Sequence, residues 1–563
     1  MYLQQPKSQK TQKREKGIET MDEKSLIENA QTSLGIEFGS TRIKAVLIAP
    51  DGEVLGIGTH DWENSQIDGH WTYSNEEILS GLQACYANLK QDVYDRAGIV
   101  LKRVGALGIS AMMHGYLAFD AQNNLLVPFR TWRDTTTREA ARKLSALFSF
   151  HIPERWSVAH LYQAILDQEF HVDKVSHITT LAGYVSRLLT GENVLSIGDA
   201  SGMFPINDAT RSYDSEMLKK FDSLPEVAAL GIKLENLLPH IMVAGEVAGH
   251  LSEEGARLLD ASGDLQAGAP VAPAEGDAGT GMIATNSVAP NTGNISAGTS
   301  IFSMIVLDKE LSEAARMQLD MVTTPAGDPV AMVHCNNCSS DLNAWLSLFQ
   351  DVAGRLGHEI DSGSLYTSLF KAALEGKKDG GDLTASPLLS GEPLLDVQVG
   401  HPLFVRSAQA SFDAATFMRV QLMSAFAALK IGNDVMRGEN VAIKKLYAHG
   451  GLFKTPQVAQ SILAAAMNAP VTVLNTASEG GAWGQALAAE FMRQKLEAKE
   501  HNDSQREAAT ASLASWLEDT IFCDLSGETL EPFTEDVQGY ETFIERFKAV
   551  NQLEQLAERV YPE

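Results

Sequence analysis

Basic charge is what this chain has least of. It carries 45 Lys and Arg against 72 Asp and Glu, a formal net charge of −27 with a sequence pI near 4.9. A surface of that sign repels polyanions, which argues against nucleic acid or an anionic membrane as a partner. Any anionic nucleotide would need local backbone amides, Lys44 or a metal ion to be welcome. Cysteine is also scarce: Cys85, Cys335, Cys338 and Cys523 are all there is in 563 residues. That is too few for a disulfide scaffold and fits a reducing cytoplasm. The single C-x-x-C, Cys335 to Cys338, has no second pair, so two buried thiols are the better reading than a metal or redox site. No apolar run is long enough to span a bilayer. The N-terminal segment has no apolar core of the kind a secretory signal needs. Several catalytic signatures are missing as well: no G-x-x-x-x-G-K-[ST] loop, no G-x-S-x-G elbow and no H-E-x-x-H.

What is present begins with size. A chain of 563 residues, 44% hydrophobic and 21% charged, is a globular protein too large for one ordinary core, so two domains are expected. Residues 1–33 are polar and mixed in charge and read as a disordered tail. Strands are predicted over Leu34 to Ile48 and Val54 to Thr59, with a turn at Pro50-Asp51-Gly52, and a helix over Glu76 to Ala97. Further helices are predicted over His177 to Leu189, Ala414 to Met436 and Thr455 to Met467, and a terminal one over Tyr540 to Val560. A composition shift near Gly268 divides the body into 34–270 and 271–563.

The most informative stretch opens the second half. Ala274 to Gly281 holds the isolated carboxylate Asp277 among small residues, where a ligand meets little side-chain bulk. Shortly after it, Asn294 to Phe302 is an apolar strand interrupted by Gly298-Thr299-Ser300. Such a turn presents backbone N–H groups and hydroxyls, which suits a phosphate. The same grammar occurs near the start: Leu34 to Phe38 ends in Gly39-Ser40-Thr41 before an alternating strand. Two copies of one strand–turn–strand unit point to an internal duplication of half the protein. Two such turns could grip one polyphosphate, and a base beside a phosphate clamp is the minimum for moving a phosphoryl group onto a hydroxyl. Around them stand His114, which reads equally as a substrate ligand or a satisfied core histidine, and Asp134, a substrate ligand or a helix N-cap, the cap being favoured. Leu446 to Lys454 is a strand entering Gly450-Gly451, which brings backbone close to a flat ligand or phosphate.

In this order, these stretches resemble the FGGY family of carbohydrate kinases. The likeness rests on Gly39-Ser40-Thr41, Met113-His114-Gly115, Trp132 with Asp134, Leu189 to Glu192, Gly276-Asp277 with Gly298-Thr299-Ser300, and Gly450-Gly451. It runs from about Leu34 to the terminal helix and is nearest to xylulokinases and ribulokinases. The resemblance implies an α/β fold of two actin-like, ribonuclease-H-like domains flanking a deep catalytic cleft. It implies ATP and Mg²⁺ as cofactors, a small sugar as the other partner, neither nucleic acid nor membrane, and leaves a homodimer open. It implies Asp277 as catalytic base, Met113, His114, Trp132, Asp134 and Asp277 as sugar contacts, and Glu37 with Asp277 at the metal. It implies nucleotide contacts from Gly39, Ser40, Thr41, Lys44, Gly298, Thr299, Ser300, Gly450, Gly451 and Lys454. The chain departs from the family pattern at Glu37, usually Asp; Ala278, usually Asn; Met112, usually Gln; and His449, usually Gly. Arg133 tilts the sugar towards ribulose. The rival reading is an actin-like ATPase switch that phosphorylates no sugar; a kinase for another polyol or sugar acid is the other alternative.

Overall fold

The computed structural model describes residues 22–474, 480–523 and 527–561. Its architecture is two seven-stranded sheets, each with its own hydrophobic core. The first sheet contains β1 (Ser33–Phe38), β2 (Arg42–Ile48), β3 (Val54–Asp61), β4 (Ala106–Ala111), β5 (Gly249–His250), β6 (Pro270–Val271) and β7 (Glu275–Gly276). The second contains β8 (Thr292–Ala297), β9 (Ile301–Val306), β10 (Asp320–Thr323), β11 (Pro329–Cys335), β12 (Lys445–Gly450), β13 (Val471–Leu474) and β14 (Gly527–Leu530).

The expected duplication is visible strand by strand. In the first sheet β3, β2 and β1 form an antiparallel meander, and β4 then β6 continue parallel to β1. In the second, β11, β9 and β8 form the same meander, and β12 then β13 continue in parallel. Parallel central strands are covered on both faces and so lose the alternation of a half-exposed strand. β4 is accordingly buried at every position, although its sequence is mostly small residues.

Helices close the faces. Helix α1 (Asn75–Ala97) starts at a capping box, in which the Ser74 hydroxyl accepts from the Glu77 amide and the Glu77 carboxylate accepts from the Ser74 amide. It ends at Gly98, whose φ of 72° places it in the left-handed region that glycine tolerates. Helix α2 (Asp277–Ala284) follows β7 directly. Helix α3 (Gly480–Glu500) returns from the second half of the chain and packs on β1, β2, β4 and α2. Gly35 allows this approach: a Cβ there would sit 2.1 Å from the Ala482 carbonyl oxygen.

Several expectations need correction. The sheets divide between Gly276 and Thr292, later than the break at 270, because β6 and β7 pair with β4 of the first sheet. Residues 1–21 of the expected tail lie outside the described residues, but Glu23–Glu28 is a helix that buries Leu26 and Ile27, and Ser33 already belongs to β1. His177–Thr179 is a strand paired with Leu117–Phe119, and the helix begins at Leu181, where the Thr180 hydroxyl accepts from the Gly183 amide. Apolar periodicity could not see the cap. The long helix over 414–436 is two helices, Ala414–Ala425 and Ala427–Gly438, meeting at Phe426. After Gly450, a 3₁₀ turn over Gly451–Lys454 precedes the helix, which starts only at Val458 because Gln457 has φ 68°.

Cys335 and Cys338 are buried free thiols, as expected. Burial pushes the Cys338 thiol up to about 12, and Cys335 is raised as well. No helix of the described residues is long and apolar enough to cross a membrane.

Beneath the second sheet, Glu392 is 1% exposed and accepts from the Asn336 amide at 2.8 Å. Burial pushes its carboxyl up to about 7. The folded state therefore favours the protonated acid, and stability is expected to fall as pH rises from about 4.5 to about 7. Glu392→Gln should flatten that slope in denaturant unfolding measured across this window. An unchanged slope would exclude Glu392 as its source.

Candidate active site

The site is built where β1, β4 and β7 end side by side. Glu37 is the penultimate residue of β1, with Lys44 its cross-strand partner on β2. β7 lies parallel to β4, and Asp277 follows it as the first residue of α2. Met113 comes two residues after the end of β4. Its backbone amide donates to Asp277 Oδ1 at 3.1 Å, and the Ala278 amide donates to the same oxygen at 2.9 Å. The base candidate is thus fixed by backbone at a helix N-terminus, where partial positive charge accumulates.

Glu37 lies close enough to Asp277 for their charges to interact. Its Oε2 accepts from the Ala482 amide at 3.1 Å, in the first turn of α3. Burial and the neighbouring Asp277 charge push the Glu37 carboxyl up to about 7, against the Ala482 amide and the Lys44 charge. Burial also raises Asp277, against the Met113 and Ala278 amides. Two oxygen donors whose charges disfavour each other suit a hard divalent cation. No group of three or more His, Cys, Asp or Glu that could hold a metal occurs among the described residues. A pair of carboxylates fits Mg²⁺, which keeps waters and takes the rest of its shell from substrate phosphates.

The two turns occupy equivalent places in their sheets. Gly39-Ser40-Thr41 joins β1 to β2, and Gly298-Thr299-Ser300 joins β8 to β9. The first is braced by aromatics: Trp132 Nε1 donates to Ser40 Oγ at 3.2 Å, Tyr73 OH to the Ser40 carbonyl at 2.6 Å, and Trp62 Nε1 to the Gly39 carbonyl at 2.7 Å. The second is braced by Ser339, whose hydroxyl donates to the Gly298 carbonyl at 2.6 Å, while Gly298 and Thr299 stay exposed. Gly450 pairs with Ala297 at the base of this turn. A Cβ on Gly450 would lie 2.0 Å from the Ala297 carbonyl oxygen, and its φ is 117°, so only glycine fits. Gly451 next to it has open space, and its carbonyl accepts from Tyr366 OH at 3.4 Å. Lys454 is exposed at the end of the 3₁₀ turn.

The remaining sugar candidates separate. His114 is buried, has φ 72°, and donates through Nδ1 to the Gly202 carbonyl at 3.2 Å. Burial, helped by the nearby Arg155 charge, lowers it to about 3, so the ring is neutral. Met113 is also buried, its side chain pressed against Gly202 and Gly276. Asp134 does not cap the helix at Arg138, whose N-cap is Thr137. Its Oδ1 accepts from the Thr136 amide and hydroxyl, at 2.9 and 2.7 Å, and its Oδ2 pairs with His70. Burial works to raise this carboxyl, but the Thr136 bonds, His160 and His70 hold it below its usual value. Arg133 is exposed, with its guanidinium 4.3 Å above the Trp71 ring.

Residues 32–284 match the N-terminal domain of the FGGY family of carbohydrate kinases, and residues 293–492 match its C-terminal domain. The chain belongs to that family. Among its curated relatives, xylulose kinase of Escherichia coli is 26% identical over 280 residues, 47% of this chain and 52% of that protein. Glycerol kinase of Thermococcus gammatolerans is 24% identical over 266 residues, 44% of this chain and 51% of that protein. The chain spans about half the length of these relatives. Gluconate kinase from Lactobacillus acidophilus, a solved structure, superposes with a TM-score of 0.72 over 93% of this chain and 99% of that one, at 16% identity. It shows a shared fold, the two-domain actin-like arrangement of FGGY kinases.

Two acids of this FGGY chain escape the sequence reading. Glu275 is buried and accepts from Ser196 Oγ at 2.5 Å and from the Gly276 amide at 2.8 Å. Asp199, fully buried, accepts from Thr180 Oγ1 at 2.6 Å through Oδ2, while Oδ1 has no partner among the described residues. Both are raised, chiefly by burial. Glu275 ties the segment that carries Asp277 to Ser196, just before the short helix Ile197–Ser201, and Asp199 ties that helix to Thr180. The signal was there, a charge in each of two runs of small residues, but the Ser196 partner of Glu275 lay 79 residues away in sequence.

Proposed function

We propose that this chain transfers the γ-phosphoryl group of ATP to a hydroxyl of a ketopentose, ribulose or xylulose. The observation that carries the proposal is the Asp277 carboxylate, held by the Met113 amide at the edge of the Met113-His114-Gly115 segment and facing Glu37 beside the first turn. A nucleotide switch has no need of a polyol site beside that carboxylate.

In this reading Asp277 accepts the proton of the attacking hydroxyl as its oxygen bonds to the γ-phosphorus. The bond between that phosphorus and the β–γ bridging oxygen breaks, and ADP leaves with the charge. Ser40, Thr41, Thr299 and Ser300 donate to the phosphates through amides and hydroxyls, while Gly39 and Gly298, whose amides close their own turns, let the phosphate come near, and Lys44 adds a cation. Gly450, Gly451 and Lys454 border the adenosine. Glu37 and Asp277 would hold Mg²⁺, which when bound spreads the phosphate charge. His114, Trp132 and Asp134 line the sugar. Catalysis of phosphoryl transfer is mostly positioning of this kind.

The relatives are named for xylulose, glycerol and gluconate, so the acceptor is the point to test. Coupled ADP release should be measured with L-ribulose, D-ribulose, D-xylulose, L-xylulose, glycerol and gluconate. One ketopentose is expected to dominate, because a site that hydrogen-bonds each hydroxyl leaves its own groups unpaired with the wrong epimer. If no acceptor raises ADP release while ATP is still hydrolysed, the actin-like switch is the better account.

A further inference from the structure

A cluster of charged and titratable side chains stands beside the Met113-His114-Gly115 segment and belongs to both domains. Asp320 opens β10, the edge strand of the second sheet. Its Oδ2 pairs with the guanidinium of Arg155 in the first domain, and its Oδ1 lies 3.2 Å from His151 Nε2. Arg155 is bound to the sugar segment through its backbone: its carbonyl accepts from the Gly115 amide at 3.1 Å. The same strand is pinned next to His114. The Thr323 amide donates to Ser201 Oγ at 3.1 Å, one residue before the Gly202 carbonyl that receives His114 Nδ1. His334 of β11 completes the group.

In this wall the Arg155 guanidinium is paired with a carboxylate. Burial works to raise Asp320, but Arg155 and His151 hold it far below the usual carboxylate range, so it is ionised. His114 and His334 are lowered to about 3 and about 4, chiefly by burial, and are neutral. The Arg155 guanidinium is thus already matched to the Asp320 carboxylate, which also meets His151, with the Arg155 and Asp320 side chains 23% and 12% exposed. Free, such a guanidinium would be a strong receptor for a substrate carboxylate, because its N–H fork matches two oxygens. Paired, it is spent, and the partner carboxylate repels a second anion.

We propose that Asp320, reaching from the second domain, sets the substrate class of the sugar site by neutralising Arg155: the site takes uncharged sugars and rejects sugar acids. This inference rests on the kinase reading above and narrows its acceptor. It also makes the second domain part of the specificity, since the wall exists only where β10 meets the first domain.

The test compares kcat/KM for the best neutral sugar with that for gluconate in the full-length protein. The wild type is expected to favour the neutral sugar by at least about 100-fold, the scale of a polar mismatch in a built site. Asp320→Asn should raise kcat/KM for gluconate in absolute terms and shrink that preference by at least about tenfold, the scale of one new pair of opposite charges between guanidinium and substrate. Adding Arg155→Gln to Asp320→Asn should abolish that rise. A wild type that uses gluconate as well as the neutral sugar overturns the proposal without any variant. An Asp320→Asn protein in which both substrates fall in parallel overturns it too, since Asp320 would then only hold the domains together. Both results leave the kinase reading standing. A wild type that phosphorylates no acceptor removes the reading itself and this inference with it.

Discussion

Asp277→Asn is expected to lower kcat by about 10²–10⁴, the range for a lost general base, while nucleotide binding persists. The amide is nearly isosteric, so the bond from the Met113 amide to the side-chain oxygen survives and the local backbone stays in place. What is lost is the ability to take a proton and one of two negative charges beside the first turn. The substitution also relieves Glu37, whose carboxyl is raised in part by Asp277. The variant should therefore be no less stable than the wild type, and a melting curve run beside the kinetics separates loss of chemistry from loss of fold. Near-normal turnover on the best sugar would remove Asp277 from the mechanism.

Glu37→Ala is expected to be the second large loss. The side chain closes the gap between β1 and the first turn of α3, and Gly481 sits against it: a Cβ there would lie 2.2 Å from Glu37 Oε1. Truncation leaves the Ala482 amide without its acceptor and removes half of the proposed metal-binding pair. Turnover should depend absolutely on Mg²⁺ or Mn²⁺ in the wild type, and the variant should need far more metal to reach a much lower kcat. Titrating activity against free Mg²⁺ measures both. Full wild-type activity in excess chelator, or a variant with an unchanged metal requirement, would show that Glu37 holds no metal. Glu37→Asp restores the residue usual in the family and should retain a metal requirement, which distinguishes a lost ligand from a lost brace.

The two predictions draw on different kinds of legibility. Asp277 could be seen in the sequence because a carboxylate set between small residues at the start of such a run is a local feature. Glu37 could be placed only by likeness, since a strand-end acid says nothing alone about what it faces. Asp134 shows the opposite error: Asp before Thr-Thr-Thr reads as a cap, but the chain makes one more turn before the helix, and the carboxylate is left for His70. Arg133, which tilted the reading towards ribulose, is exposed with its guanidinium over the Trp71 ring. Glu275 and Asp199 stood in small-residue runs that did not reveal what they bond, and Arg155 and Asp320 carried no local pattern.

By itself the sequence determined the α/β class, the repeated strand–turn–strand unit with its two Gly-containing turns, the placing of Asp277 in a run of small residues and the absence of a P-loop. These are properties of short segments, and backbone preference and apolar spacing act within a few residues. Tertiary structure alone decided that α3 crosses from the second half of the chain to cap Glu37, that His114 is neutral and bonded to Gly202, and that Asp320 neutralises Arg155 across the two domains. Burial, electrostatic pairing and close approach depend on residues more than 80 positions apart in each case, and no local pattern encodes which distant group a side chain will meet.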